Sequence, residues 1–259
     1  CEESTIVTVE GTEGYLADRR SDCSPFWGGR PPRPPSLEPR VAISAAAIRG
    51  DVESVRRLLA SGSSPDRRDC LGESPVESLC KMGGNTDGRA ACLRLLRDAG
   101  ANLDAANRDG MTPLHYAARR GDTKIVSLLV EAGVDVDATT PDEETALYLA
   151  VRHRATGCVE VLLAAGASLN LRDFDGRTPF GLALAWGLPR SWPLFLRAGA
   201  EIPTDNTDPY IVRVRNAGGF QRYAQQHLAR ITAILAPTPR LPPEMVRKIV
   251  EFWLHAGYY

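Results

Sequence analysis

The side chains in this chain that could carry chemistry are four histidines and six cysteines. They are His115, His153, His227 and His255, and Cys1, Cys23, Cys70, Cys80, Cys92 and Cys158. Nucleophilic catalysis needs a nucleophile, a base and an orienting group within reach of one another, and a zinc site needs several ligands at short spacings. No histidine has a cysteine, serine or carboxylate at such a spacing, and no cysteine pair is spaced C-x2-C. We therefore predict no catalytic residue, no metal site and no cofactor.

A glycine-rich stretch at residues 83–88 is the remaining candidate for chemistry, because glycine-rich loops can cradle phosphate groups. It lacks the Gly-Lys-Ser/Thr of such loops and is predicted to be a turn-rich insertion between two helices. The cysteines are too few for a disulfide scaffold at this length. We expect free thiols in a reducing compartment, with a bridge between Cys1 and Cys23 as the alternative.

Composition narrows the classes of partner. The chain has 259 residues, with 31 basic and 32 acidic side chains and a net charge of −1, whereas nucleic-acid binding usually requires a basic excess. The longest run without charge spans residues 178–189, well short of the ~20 residues that cross a bilayer. We expect protein partners, no nucleic acid, and a protein that is not integral to a membrane. The expected location is intracellular, cytoplasmic or organellar.

The chain begins with Cys1 rather than Met, so the sequence does not determine the cellular location of the protein. Removal of a transit peptide from a protein destined for an organelle such as a plastid is one explanation. A processed lipoprotein in which Cys1 bears the lipid is another.

An internal period dominates the middle of the chain. Glycines that follow Leu-rich runs are spaced by 38, 33, 33 and 33 residues, at Gly62, Gly100, Gly133, Gly166 and Gly199. Four-residue helix starts recur in step with them, at residues 74–77, 112–115, 145–148 and 178–181. In the best copy Thr112 is a natural N-cap and Pro113 suits the first helical turn. The five extra residues of the longer spacing fall in residues 83–88.

This 33-residue period, with the head Asp-Gly-Met-Thr-Pro-Leu-His-Tyr-Ala-Ala at residues 109–118, resembles the ankyrin-repeat family. The resemblance covers about two-thirds of the chain as five units. It implies an all-α solenoid of helix-turn-helix repeats in which His115 is a structural hydrogen-bond partner. Repeat two has Val76 and Glu77 in place of Leu-His, so its head is expected to lack those hydrogen bonds. Repeat five has glycines and prolines, Pro189 and Pro193 among them, which predict a shortened or kinked second helix.

Three parts are predicted along the chain. Residues 1–36 are an extended Pro/Gly-rich N-terminal segment, in which Phe26 and Trp27 are the expected anchors. Residues 37–202 are the ankyrin-repeat domain, and residues 203–259 are a C-terminal helical module. Within this module, apolar residues at helical spacing predict a helix over residues 220–235.

The end of the chain carries two resemblances. Residues 241–254 begin Leu-Pro-Pro-Glu and resemble the first helix of an F-box, which implies docking to the adaptor of a cullin ubiquitin ligase through Ile249, Phe252 and Trp253. The wider stretch from residue 210 onward is similar to the tails of ankyrin proteins from unicellular algae. The alternative is that this helix caps the last repeat.

In ankyrin repeats the turn tips and the outer ends of the first helices bind partners. The resemblance places a set of exposed side chains there, on a concave face: Arg108, Met111, Arg119, Arg120, Arg152, His153, Phe174, Arg177 and Trp186. Since arginine and tryptophan are enriched at binding hot spots, we predict that this groove binds an acidic, partly apolar protein segment. The expected function is a non-enzymatic adaptor or scaffold, such as the linker subunit of a larger, organellar assembly. The alternative is a substrate receptor of a cullin-type ubiquitin ligase.

Overall fold

A computed structural model describes residues 39–69 and 71–235, together with residues 242, 244, 245 and 248. The predicted N-terminal anchors Phe26 and Trp27 lie outside the described residues. The same is true of the predicted docking residues Ile249, Phe252 and Trp253.

The described part of the chain is helical and contains no β-strand, as the repeat pattern predicts. Five helix pairs follow one another: α1 Pro39–Arg49 with α2 Val52–Ala60, α3 Pro75–Lys81 with α4 Thr86–Asp98, α5 Pro113–Arg120 with α6 Thr123–Glu131, α7 Ala146–Arg152 with α8 Thr156–Ala164, and α9 Pro179–Ala185 with α10 Trp192–Arg197. Two further helices, α11 Pro209–Asn216 and α12 Phe220–Leu235, come after them.

The helix starts follow from the recurring head. The side chain of Thr112 accepts a hydrogen bond from the amide of His115, and Pro113 occupies the first turn of α5, where no amide donor is needed. Ser74, Thr145 and Thr178 cap α3, α7 and α9 in the same way.

The helices stack in two rows. The first helices of the repeats pack side by side in the order α1, α3, α5, α7 and α9, and the second helices form a parallel row. Between the rows lie the small Ala117 and Ala118 and the apolar Ile125 and Leu129, all fully buried. No repeat could bury this surface alone, so each repeat depends on its neighbours for stability.

The insertion in repeat two is more helical than predicted. Residues 86–88 are the first turn of α4 rather than part of a loop, and α4 has 13 residues where α2, α6 and α8 have 9. The physical reason is a cap, because the side chain of Asn85 accepts a hydrogen bond from the amide of Gly88, 3.2 Å away.

The fifth repeat ends the regular part of the stack. Its second helix, α10, has only 6 residues, which confirms the predicted shortening. The helix over residues 220–235 is also confirmed as α12. The helix α11, whose start is capped by Asp208, was not predicted from the sequence. The Tyr210 ring of α11 stacks on Trp192 of α10 with the ring centroids 6.3 Å apart, so the C-terminal helices continue the apolar core.

Candidate protein-binding face

The turn tips that precede the first helices are each held by one polar side chain. In repeat three, the Asn107 side-chain oxygen accepts hydrogen bonds from the amides of Asp109 and Met111, both at 2.9 Å. In repeat five, an Asp173 oxygen accepts from the amide of Arg177 at 2.7 Å. The corresponding residues of the other tips are Asp69 and Thr140. Each tip therefore has a fixed shape before any partner arrives.

Successive tips touch one another and form a continuous edge. The amide of Phe174 donates to the carbonyl of Asp142 across 3.2 Å, which ties the fifth tip to the fourth. A Cβ added to Gly110 would lie 2.6 Å from Cδ of Pro141, so the third and fourth tips approach closely only because Gly110 has no side chain.

The structure brings the predicted partner-binding residues to this edge and to the carboxyl ends of the first helices. Eight of the nine are exposed and Met111 is partly buried against the core. We refer to this set as the candidate face: Arg108, Met111, Arg119, Arg120, Arg152, His153, Phe174, Arg177 and Trp186. Phe174 is 82% exposed and Trp186 43% exposed. Leu71 and Met82, also exposed, extend the apolar surface into repeat two.

The arginines of the candidate face differ in how far their charge is already neutralised. Arg152 forms an ion pair with Glu144, and Arg177 forms one with Asp175. By contrast, the three arginines of repeat three have no carboxylate partner among the described residues: Arg108, Arg119 and Arg120. Uncompensated positive charge on the candidate face is therefore concentrated at repeat three, whereas its two aromatic side chains, Phe174 and Trp186, lie at repeat five.

Two of the basic residues are influenced by neighbouring side chains. The guanidinium of Arg119 lies 5.2 Å from the centroid of the Tyr116 ring, a distance typical of a cation–π contact. Partial burial, together with the charges of Arg152 and Arg119, lowers the pKa of His153. This imidazole is therefore mostly neutral at pH 7, when it can both donate and accept a hydrogen bond.

His115, in the head of repeat three, has a structural role, as the resemblance implies. Nδ1 of His115 accepts from the amide of Thr112 at 3.1 Å, which leaves Nε2 to donate to the carbonyl of Ala138 at 3.0 Å. In repeat two the equivalent Glu77 is buried and its Oε1 has no hydrogen-bond partner, consistent with the predicted loss of these bonds.

Three of the cysteines are free and buried: Cys80, Cys92 and Cys158. Burial raises the pKa of the Cys80 thiol to about 12 and that of Cys92 to about 11, so neither forms an appreciable amount of nucleophilic thiolate at neutral pH. Within the described ranges, no group of three or more histidine, cysteine or acidic residues is arranged to hold a metal ion. In the same ranges, no helix has the length and apolar character needed to span a bilayer.

The exposed residues of the candidate face were predicted from the sequence, but the residues that position them were not. The tip-holding side chains Asp69, Asn107, Thr140 and Asp173 recur at spacings of 38, 33 and 33 residues, the same period as the glycines. The recurrence of a polar residue at this position of each repeat could therefore have predicted which side chains hold the tips.

Comparison with known proteins agrees with the geometry. Two family models described as ankyrin repeats match residues 43–140 and residues 129–183. Together they cover residues 43–183, which is more than half of the chain.

Each of three individual relatives matches 32% of this chain. The chain is 37% identical over 86 residues to human (Homo sapiens) ankyrin repeat domain-containing protein 63, which is 32% of this chain and 21% of the relative. It is 36% identical over 87 residues to the mouse (Mus musculus) cyclin-dependent kinase 4 inhibitor B, covering 32% of this chain and 62% of the inhibitor. It is 32% identical over 85 residues to chicken (Gallus gallus) inversin, covering 32% of this chain and 7% of inversin. The chain thus spans less than two-thirds of the length of each of these proteins.

Proposed function

Because residues 43–183 of this chain are ankyrin repeats, we propose that the protein is a non-enzymatic adaptor that binds a segment of another protein on the candidate face. The observation that carries the proposal is the exposure of two aromatic side chains, Phe174 on a pre-formed tip and Trp186 at the carboxyl end of α9, on the face that also carries the arginines. Tryptophan and arginine are among the residue types enriched at the energetic hot spots of protein interfaces, and covering an exposed aromatic side chain with a partner removes apolar surface from water.

The distribution of charge gives the bound segment a direction. Its acidic part meets Arg108, Arg119 and Arg120 of repeat three, none of which is already held in an ion pair among the described residues. Its apolar part meets Phe174 and Trp186 of repeat five. Arg152 and Arg177 contribute less, because each is already paired within the face.

A selection experiment tests this function even though the partner is unidentified. A library of short random peptides is displayed on phage and selected on the full chain, and the enriched peptides are then tested on a variant carrying Trp186→Ala and Arg119→Glu. Arg94→Glu, which reverses an exposed charge on α4 away from the candidate face, is the matched control. We expect peptides with acidic and large apolar residues that bind the wild type and the control but not the double variant. Equal binding to the double variant would exclude the candidate face as the binding site.

A second candidate function is a substrate receptor of a cullin-type ubiquitin ligase, with the ligase adaptor bound by the segment after α12. It is favoured by Glu244, Met245 and Lys248, which are helical, and by the exposure of Met245, at 50%. A native pull-down of the whole chain and of a chain ending at Ala236, read by mass spectrometry, distinguishes the functions. Loss of a cullin-adaptor set on truncation supports the receptor, whereas one fixed assembly without ligase components supports a linker subunit.

A further inference from the structure

A cavity of about 320 Å³ opens between the fourth and fifth repeats. It lies at the loops that join the first helix of each repeat to its second helix. The loop of repeat four has three residues, 153–155, but that of repeat five has six, 186–191. The 33-residue period would start α10 at Pro189, 33 positions after Thr156, whereas α10 starts at Trp192. The late start of α10 leaves space beside the first turn of α8.

The lining of this cavity includes both cationic and apolar side chains. Arg154 and Arg190 line it together with the hydroxyl-bearing Thr156 and the apolar Val159 and Leu188, and its lining contains no acidic residue. Neither guanidinium has an ion-pair or hydrogen-bond partner among the described residues. Two unpaired arginines beside apolar walls form a binding site for an anion that carries an apolar group.

Arg154 occupies a backbone conformation that favours glycine. Its φ is 58°, and the equivalent positions of repeats one and three are glycines, Gly50 with φ 69° and Gly121 with φ 74°. The left-handed conformation is unfavourable for residues with a Cβ, and such strained residues tend to cluster at functional sites. Repeat four thus has a cation at a position where glycine suits the fold better.

Residue 155, directly after Arg154, is an alanine, whereas the equivalent residue of repeats one and three is an aspartate. Asp51 and Asp122 cap the second helices of repeats one and three, whereas Ala155 precedes α8 without any side-chain cap. The backbone angles of Ala155 and Asp122 are nearly the same, with φ −83° in both and ψ 69° and 78°. The backbone of residue 155 therefore has the conformation in which Asp122 caps its helix, but residue 155 carries no carboxylate to offset the charge of Arg154 and Arg190.

We propose that this cavity binds a phosphate monoester, with Arg154 and Arg190 on the phosphate oxygens and the ester's apolar group against Val159 and Leu188. The guanidinium fork matches the oxygens of a phosphate, and two such groups balance the two negative charges of the ester at neutral pH. The hydroxyl of Thr156 supplies a further donor. A phosphorylated side chain of a protein and a small phosphate ester share this chemistry. The cavity adjoins the candidate face, because its lining residues Arg154 and Gly187 directly follow His153 and Trp186. The observations behind it are separate from those that support the adaptor function.

Binding of phenyl phosphate to the full chain tests the proposal. Titration calorimetry measures the affinity, and backbone NMR shifts of Thr156 and Gly157 locate the site. Arg154→Gly removes one cation but introduces the residue that this backbone conformation prefers, so we expect phosphate affinity to fall at least about tenfold while the melting temperature stays equal or rises. Ala155→Asp adds a helix cap and a negative charge that repels phosphate. We therefore expect it, too, to lower the phosphate affinity while the melting temperature stays equal or rises.

Arg94→Gln, which removes an exposed cation from α4, should leave the affinity unchanged. Tighter binding of a phosphoserine peptide than of phenyl phosphate would identify a protein as the source of the phosphate, and equal binding would identify a small ester. Absence of shifts in α8 with the wild-type chain, or equal affinity in Arg154→Gly, would overturn the proposal.

Discussion

One position in the first helix of each repeat carries a different side chain in every repeat: Ser44, Glu77, His115, Tyr148 and Gly181. The histidine bonds both its own helix cap, through Thr112, and the next repeat, through the carbonyl of Ala138. Ser44 Oγ and Glu77 Oε1 are buried without a hydrogen-bond partner. Because a buried polar atom without a partner costs about 1–3 kcal/mol, this position makes repeats one and two weaker than repeat three.

His115 should make the protein less stable in mild acid. Burial lowers the pKa of His115 below its usual 6.5, since the folded protein holds the neutral ring. Its contribution to stability is therefore complete above pH 6.5 and is lost as the pH falls through the lower, folded-state pKa. His115→Gln should lower the free energy of unfolding by about 1–2 kcal/mol at pH 7 and flatten its decline toward pH 5. Urea denaturation at both pH values measures this, and a variant with an unchanged decline would contradict it.

Glu77 should have the opposite dependence on pH. Burial is the main cause that raises its pKa above 4.5, with Glu73 adding to the effect and Asn107 reducing it. The ionised carboxyl therefore opposes folding at neutral pH, and this cost disappears as the pH falls below the raised pKa. We expect Glu77→Gln to raise the free energy of unfolding by about 1 kcal/mol at pH 7 and to have little effect near pH 4.

Denaturation curves at the two pH values test this expectation about Glu77. Glu53→Gln on the exposed face of α2 is the control, with an expected effect within about 0.5 kcal/mol at either pH. An equal effect of Glu77→Gln at both pH values would show that ionisation of Glu77 does not matter.

At the scale of elements, the extra first turn of α4 fits into the stack because residue 88 is a glycine. The extra first turn of α4 passes directly over the loop between α1 and α2, where a Cβ on Gly88 would lie 2.5 Å from the carbonyl oxygen of Gly50. The contact is between two backbones, so neither side can yield by a simple rotation of a side chain.

Gly88→Ala should therefore destabilise the protein by about 1–3 kcal/mol, although alanine is ordinarily the better helix former. Thermal or urea unfolding gives the value, and Arg94→Ala on the exposed side of the same helix should change stability by less than about 0.5 kcal/mol. A neutral or stabilising Gly88→Ala would mean that α4 can shift away from Gly50.

Sequence pattern predicted the repeats well because the period, the caps and the glycines are local signals that agree with one another. Thr112 and Pro113 were interpretable from chemistry alone, and the structure confirms both roles. The first turn of α4 was not predicted, because a glycine such as Gly88 normally indicates a turn. Its place in a helix becomes clear only from two features of the folded chain, the cap by Asn85 and the close approach of Gly50. The ion pair between Arg152 and Glu144 could not be predicted from the sequence either, because side-chain partners depend on the folded geometry.

At the scale of the whole molecule, a set of aspartates holds successive repeats in register. Each accepts a hydrogen bond from a backbone amide in the next repeat, at 2.7–3.0 Å: Asp66 from Asn102, Asp104 from Asp135, and Asp137 from Ser168. Together with the tip-to-tip contacts, these bonds keep the candidate face in one shape along repeats two to five. A pre-formed face loses little conformational freedom on binding, which favours affinity.

Titration of a selected peptide against single variants of the candidate face tests the central claim most directly. Trp186→Ala should weaken binding by about thirtyfold, equivalent to roughly 2 kcal/mol, if Trp186 is an anchor. Arg119→Glu should weaken binding and reduce its dependence on salt, because the attraction to the acidic part of the peptide is lost. Affinities for both variants equal to that of the wild type would contradict the claim that this protein binds its partner through the candidate face.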